Sequence, residues 1–231
     1  MRRMLLLFLF SFLSVYAQDI SKVHFVRASG EATIDAKPDR AQLSIGVMTQ
    51  AATAQAAAAQ NATGTTQVID SLKRALGPEG QIKTSGYAIS PQYAYDDGHP
   101  PRLTGYQASN TVLVTDDNLA NLGKVIDAAT SAGANNVNGI SFSLRDETEV
   151  KQKALVEAAQ RAKANAETIA RALNLRVTGI LQAEPTEMPV IRPMPMAMAV
   201  EGIQPRAQPT PIESGNLNIT AHVTVVLQVE Q

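Results

Sequence analysis

The chain has no cysteine and no tryptophan, and aromatic residues make up 4% of its 231 positions. Without a thiol there is no disulfide, thiolate nucleophile, zinc–thiolate site or cysteine-held iron–sulfur cluster. Stability has to come from an apolar core, which a chain of this length can build. Charge is also sparse: 18% of residues are charged, and 20 basic against 21 acidic side chains leave a formal net charge of -1. That balance argues for no charged partner. Once Arg2 and Arg3 are set aside, Lys73-Arg74 is the only basic doublet, too little to track a phosphate backbone, so nucleic acid is discarded as a partner.

The motifs that carry common chemistries are missing as well. No two glycines stand two apart, so there is no G-x-G-x-x-G dinucleotide loop, and no Gly-Lys-Ser/Thr marks a phosphate loop. Neither an H-E-x-x-H zinc helix nor a G-x-S-x-G elbow occurs. His24, His99 and His222 are scattered. Asp96, Asp97 and His99 form the one acidic-histidine cluster, but Asp-Asp-Gly at a loop tip is already explained by turn chemistry. The chain reads as a non-enzyme with no cofactor and no identifiable small-molecule substrate.

The first residues are those of an export leader. Arg2-Arg3 precedes an apolar run from Met4 to Leu13 broken only by Ser11, and Val15-Tyr16-Ala17 places slim residues at a cleavage site after Ala17. The run is shorter than the ~20 residues of a membrane-spanning helix. The expectation is a periplasmic protein whose mature part starts at residue 18, forming one domain over 18–231 with a Pro/Met-rich loop at about 184–214.

Val23 to Asp35 and Ala41 to Met48 alternate as strands, and Lys37-Pro38-Asp39 between them reads as the turn of an adjacent pair. Gln50 to Leu76 has the helical period, with Ala54, Ala58, Ala62, Val68, Leu72 and Leu76 inward and Gly77-Pro78 as the stop. From Gln81 the period is two, and a loop at 96–101 turns the chain back into a strand over Leu103 to Thr115, giving a long hairpin. Asp116 or Asp117 can cap the next helix, which ends at Gly133, and Val137 to Leu144 is a strand. A third helix follows, with Val150, Ala154, Ala158, Ala162, Ala166, Ile169 and Leu173 inward. It opens on a capping box of Asp146 and Glu149, and Glu167 stands four residues before Arg171. Leu175 to Ala183 is a strand. Seven prolines over Glu184 to Ser214 predict a long loop, being incompatible with a helix or a central strand. Asn216 to Val229 alternates most cleanly of all and predicts a half-buried antiparallel strand. The order strand, helix, strand, strand, helix, strand from Ala41 to Leu144 matches a ferredoxin-like split β-α-β core. The expected fold is α+β: a mainly antiparallel sheet covered by helices, extended by further strands and the third helix.

Several segments carry a resemblance. They are Ala28-Ser29-Gly30-Glu31-Ala32 running on to Lys37-Pro38-Asp39-Arg40-Ala41, then Thr84-Ser85-Gly86-Tyr87, Pro91-Gln92-Tyr93 and Gly105-Tyr106-Gln107-Ala108-Ser109-Asn110. In that order and spacing they resemble the SIMPL domain, named for a signalling molecule that associates with a pelle-like kinase, over Val23 to Val229. The resemblance implies an α+β domain, a periplasmic or outer-membrane-associated bacterial protein, and annotation around oxidative-stress defence or antigenicity. It also implies assembly into large ring-like oligomers in some members, and it brings no catalytic residues.

Two surface features stand out. Four of the six aromatic residues beyond the leader, Tyr87, Tyr93, Tyr95 and Tyr106, lie in the one hairpin. They are either covered by helices or form a subunit interface, since tyrosine offers large area with a polar tip. The closing strand is a second candidate for subunit contacts. Met188, then Met194, Met196 and Met198, place thioethers at alternating positions. Such a run either packs as adaptable apolar surface or gathers a soft ion, Cu(I) or Ag(I), and exposed methionine also scavenges oxidants. The leading expectation is a self-associating envelope- or oxidative-stress protein, with the methionine run as the alternative activity.

Overall fold

A computed structural model of the chain describes residues 23–193 apart from Glu79 and Asp96, residue 210, and residues 212–231. The elements run β1 (Phe25–Ala36), β2 (Arg40–Ala51), α1 (Ala54–Leu76), β3 (Gln81–Ala94), β4 (Arg102–Asp116), a 3-10 turn (Leu119–Asn121), α2 (Leu122–Ser131), β5 (Asn136–Ser143), α3 (Thr148–Ala172), β6 (Arg176–Pro193) and β7 (Leu217–Glu230). They build two antiparallel sheets, ordered β3-β4-β2-β5 and β1-β7-β6. The α+β class stands, and the first sheet has the ferredoxin-like order expected from Ala41 to Leu144. The remaining strands do not extend it. They form a second sheet with its own helix and its own core. β1 and β2, expected as neighbours, sit in different sheets, because Lys37 to Asp39 crosses between them instead of folding back.

In the four-stranded sheet, α1 and α2 cover a core of branched residues, among them Leu43, Ile45, Val68, Leu72, Val114, Leu122 and Val125. Thr53 caps α1, its hydroxyl accepting the Ala56 N–H at 3.2 Å. The inward face of α1's first half is one residue away from the apolar reading. Ala57, Asn61 and Thr65 are buried where Ala54, Ala58 and Ala62 were expected. The cause is Asn61, whose side-chain amide donates to the carbonyls of Val47 at 2.7 Å and Ala108 at 3.2 Å, bridging β2 and β4 from above. A buried amide is stable only with such partners, so it sets the helix's rotation.

In the three-stranded sheet, α3 lies on β1 and β7 through a stripe of alanines at every fourth position: Ala154, Ala158, Ala162, Ala166 and Ala170, all fully buried. Ala170 replaces the expected Ile169 and Leu173, which are 41% and 61% exposed. The small side chains let the helix come down onto Gly30 of β1, where a methyl group would overlap the backbone of Ala158 and Ala162. β7 supplies the rest of the core with Leu217, Ile219, Ala221, Val223, Val225, Leu227 and Val229. Along the outer face of α3, Glu167 pairs with Lys163 at 3.1 Å rather than with Arg171, which bonds Thr168. No capping box forms: Asp146 accepts the Thr148 N–H at 2.8 Å, while Glu149 pairs with Lys153. That hydrogen bond, joined by the Thr148 side chain, holds the Asp146 carboxyl below the usual carboxylate range.

The proline-rich segment is the largest departure from expectation. Glu184 to Pro193 belongs to β6, which runs as an edge strand with four register shifts against β7. Proline is excluded from central strands but tolerated at an edge.

Where the chain crosses between the sheets it is clamped. Arg40 grips Asp117 with two bonds, at 2.7 Å and 3.0 Å, and Arg145 reaches the same carboxylate at 3.4 Å. Asp39 receives the Arg145 N–H at 2.6 Å and gives its own N–H to Ser143. Both crossings, at residues 37–39 and 144–147, are tied by one cluster. The Asp117 carboxyl is held below its usual range, first by the Arg40 hydrogen bonds against some desolvation, then by the charges of Arg40 and Arg145. Of the two candidate caps, Asp116 takes the Asn118 N–H at 2.8 Å, and Asp117 is committed to the arginines.

Candidate interaction surface

The hairpin of β3 and β4 is the largest apolar feature that the sheet carries outside its core. Tyr87, Ile89, Tyr93 and Tyr95 are 55%, 40%, 47% and 77% exposed, and Leu103 is 45% exposed. Tyr106 is half-buried and sits opposite Ala51 of β2 and Pro91 of β3. Tyr87 pairs with Asn110, Ile89 with Ala108, and Pro91 with Tyr106, so these side chains share the face on which α1 lies. The helix does not reach them. The reading in which helices cover the tyrosines is therefore corrected for Tyr87, Tyr93 and Tyr95: α1 packs on β2, β4 and the start of β3, where Ile82 joins the core, while β3 from Lys83 to Pro91 stays exposed at the rim.

The other expected site residues divide. Met194, Met196 and Met198 lie outside the described residues, and so does Asp96. Met188 stands on β6, 78% exposed. His99 places Nδ1 3.2 Å from the Asp97 carbonyl oxygen, a local turn contact. His222 has Nδ1 3.9 Å from a Glu31 oxygen across the β1–β7 pair, on the sheet face opposite α3. That face carries rows of hydroxyls, Thr224 bonding both Ser29 and Thr186, and Thr33 bonding Thr220, at 3.0–3.1 Å. A shallow depression of about 440 Å³ there is bordered by Arg27, Ser29, Glu184 and Thr224. Among the described residues no group of three His, Asp or Glu side chains is placed to hold a metal ion, and no helix is long and apolar enough to cross a membrane. The closing strand, β7, is paired on both sides and has no free edge to offer a partner.

Sequence reasoning found the tyrosines but not the backbone that goes with them. The signal was available in Thr84 to Tyr95, twelve consecutive residues without a charge, in a strand that the topology leaves at a rim.

A helix-backed ferredoxin-like sheet with exposed aromatic side chains at its rim, joined to a second sheet with its own helix, defines an α+β protein. The chain matches the SIMPL family model, described as a protein of unknown function (DUF541), over residues 26–227, and belongs to that family. It is 29% identical to the 26 kDa periplasmic immunogenic protein of Brucella melitensis over 212 residues, 89% of this chain and 84% of that one. It is also 29% identical to the uncharacterized protein YggE of Escherichia coli over 220 residues, 94% of this chain and 88% of that one. A YggE from Edwardsiella ictaluri is 30% identical over 159 residues, 68% of this chain and 66% of its own length.

Proposed function

We propose that this chain is an exported, non-enzymatic protein of the periplasm that self-associates through its aromatic hairpin and serves in envelope or oxidative-stress protection. The observation that carries the reading is the exposure of Tyr87, Ile89, Tyr93, Tyr95 and Leu103 on one projecting hairpin, an apolar concentration of the kind that marks contact surfaces. Export is supported by the leader pattern of residues 1–17 and by the relative named periplasmic. The non-enzymatic reading is supported by where the polar groups spend their contacts: Arg40, Asp117 and Arg145 clamp the crossings, and Asn61 bridges two strands. The stress role follows the family resemblance.

The test is the absolute mass of the purified protein by light scattering during size exclusion, with and without Tyr93 and Tyr95 replaced together by Ser. A mass of several chains that falls in the double variant is expected. A wild-type protein that stays at the mass of one chain at tens of micromolar removes self-association from the proposal.

A further inference from the structure

Among the described residues four strands lie at sheet edges, and three of those edges are blunted. β1 is covered from α3, where Asn165 donates to the Ser29 carbonyl and Arg161 to the Glu31 carbonyl, each at 2.9 Å. β6 carries Pro185 and Pro189 within its length, Pro193 at its end, and four register shifts. β5 is eight residues long and irregular against β2, with Gly139 at φ 83°. Short, bulged, proline-bearing or covered edges are the usual devices that keep a sheet from adding a strand. β3 has none of these over Gly86 to Ser90, where its register with β4 is unbroken.

The direction of its backbone can be read from two hydrogen bonds. The Thr111 carbonyl takes the Ser85 hydroxyl at 3.2 Å and so faces β3, and Thr111 is the partner of Gly86. The Gln92 carbonyl takes the Thr104 hydroxyl of β4 at 3.0 Å. Gly86, Ala88, Ser90 and Gln92 thus turn their polar groups toward β4, and by alternation Tyr87, Ile89 and Pro91 turn theirs outward. Pro91 fits this, since it has no N–H to give the ladder. The residues with free backbone groups are the same ones whose apolar side chains are bare.

We infer that β3 is a strand-pairing site for a second copy of this chain, joined antiparallel about a two-fold axis at Ala88. The inference rests on the self-association proposed above and specifies its geometry. Self-pairing is favoured because the other edges are closed, leaving β3 only its own kind to meet, and because Thr84 to Tyr95 brings no like charges together. Centred on Ala88, Tyr87 of each copy faces Ile89 of the other, and the two couples exchange four backbone hydrogen bonds. Each couple is also a favourable aromatic with β-branched pair. A register centred on Ile89 would instead set Pro91, which lacks an N–H, opposite Tyr87. The union makes one eight-stranded sheet from two four-stranded ones, through a contact that is the same on both sides.

The absence of cysteine supplies a clean probe. Ala88 of the two copies forms a non-hydrogen-bonded pair with Cα atoms about 4.5 Å apart, a spacing a disulfide can bridge. Under mild oxidation Ala88→Cys should become a covalent dimer about tenfold faster than Ser90→Cys, which faces Gly86 of the second copy. Ile89→Pro removes an outward N–H, and Ile89→Lys sets a charge against Tyr87 of the other copy and two like charges on the diagonal of one face, while leaving the fold's own ladder intact. Both should at least halve the mass in solution. An Ala88→Cys dimer together with a reduced mass in Ile89→Lys supports the pairing. An oligomer whose mass ignores Ile89→Lys, or whose Ala88→Cys links no faster than Ser90→Cys, overturns the pairing and leaves self-association standing through another surface. A wild-type protein of one-chain mass overturns both.

Discussion

The two sheets solve the same problem, seating helices on an antiparallel surface, with opposite materials. α3 meets β1 through alanine and glycine, so main chain lies against main chain at Gly30, Ala158 and Ala162. α1 meets β2 and β4 through Val68, Leu72, Leu43, Ile45 and Val114, and in the wider space between them it lowers Asn61 onto two strand carbonyls. The first seam gains close packing and loses all slack. The second keeps enough room that a polar side chain sets its register. A close seam should be intolerant of a single added methyl, whereas a spaced seam should be sensitive to loss of its polar peg.

The sharpest break of the comparison is Gly30→Ala. Its new methyl would collide with helix backbone, which cannot rotate aside as a side chain can. Overpacking of this kind costs about 3 kcal/mol, read as a thermal midpoint lowered by several degrees or as loss of folded protein. A variant melting with the wild type would mean that α3 does not sit as closely as described. Next in size is Asn61→Ala in the other seam. Removing the amide leaves the Val47 and Ala108 carbonyls without that donor, the Thr65 hydroxyl without its acceptor, and a small void, at a cost of about 2 kcal/mol. Chemical denaturation measures it, and a change under about 0.5 kcal/mol would remove Asn61's positioning role.

This contrast also explains what could be read from the sequence. Period-two alternation exposed β7 fully, and the order of β2 through β5 followed from period and turns, because β2 and β4 each turn a row of buried residues to the core and turn residues bound the strands between and after them. The second half of β6, Glu184 to Pro193, was hidden since proline speaks against central strands, and nothing local announces that a strand will lie at an edge. The crossing at Lys37 to Asp39 has the composition of a hairpin turn, and its destination depends on Arg40, Asp117 and Arg145, which are far apart in sequence. The inward turn of Asn61 and Thr65 runs against the apolar period, so hydropathy alone could not find it. At the hairpin the tyrosines were legible as a cluster. Their exposure was not, because it depends on how far α1 reaches across the sheet.

The clamp between the sheets gives a smaller effect with a pH signature. Asp117's carboxyl has a lower pKa folded than unfolded, so its stabilising contribution is complete above the unfolded value of about 4 and is lost as pH falls through the folded value. Asp117→Asn should therefore melt earlier than wild type at pH 7, with the gap closing progressively below pH ~4. A gap that stays constant from pH 7 to pH 2 would show that the clamp stabilises through shape rather than charge.

The smallest effect is the most telling for the comparison, because it repeats the first substitution in the other seam. Gly64 lies in the middle of α1, where a methyl would meet only Cγ1 of Val47, at 3.2 Å. That neighbour is the end of a side chain and can yield by a few tenths of an ångström, whereas the neighbours of Gly30 are backbone. Replacing a mid-helix glycine by alanine favours the helix by up to about 1 kcal/mol, and the contact with Val47 consumes part of it. Gly64→Ala should consequently raise stability by roughly 0.5 kcal/mol, against the large loss at Gly30. A loss at both positions would mean that the two seams are equally tight and that the alanine stripe does not distinguish them.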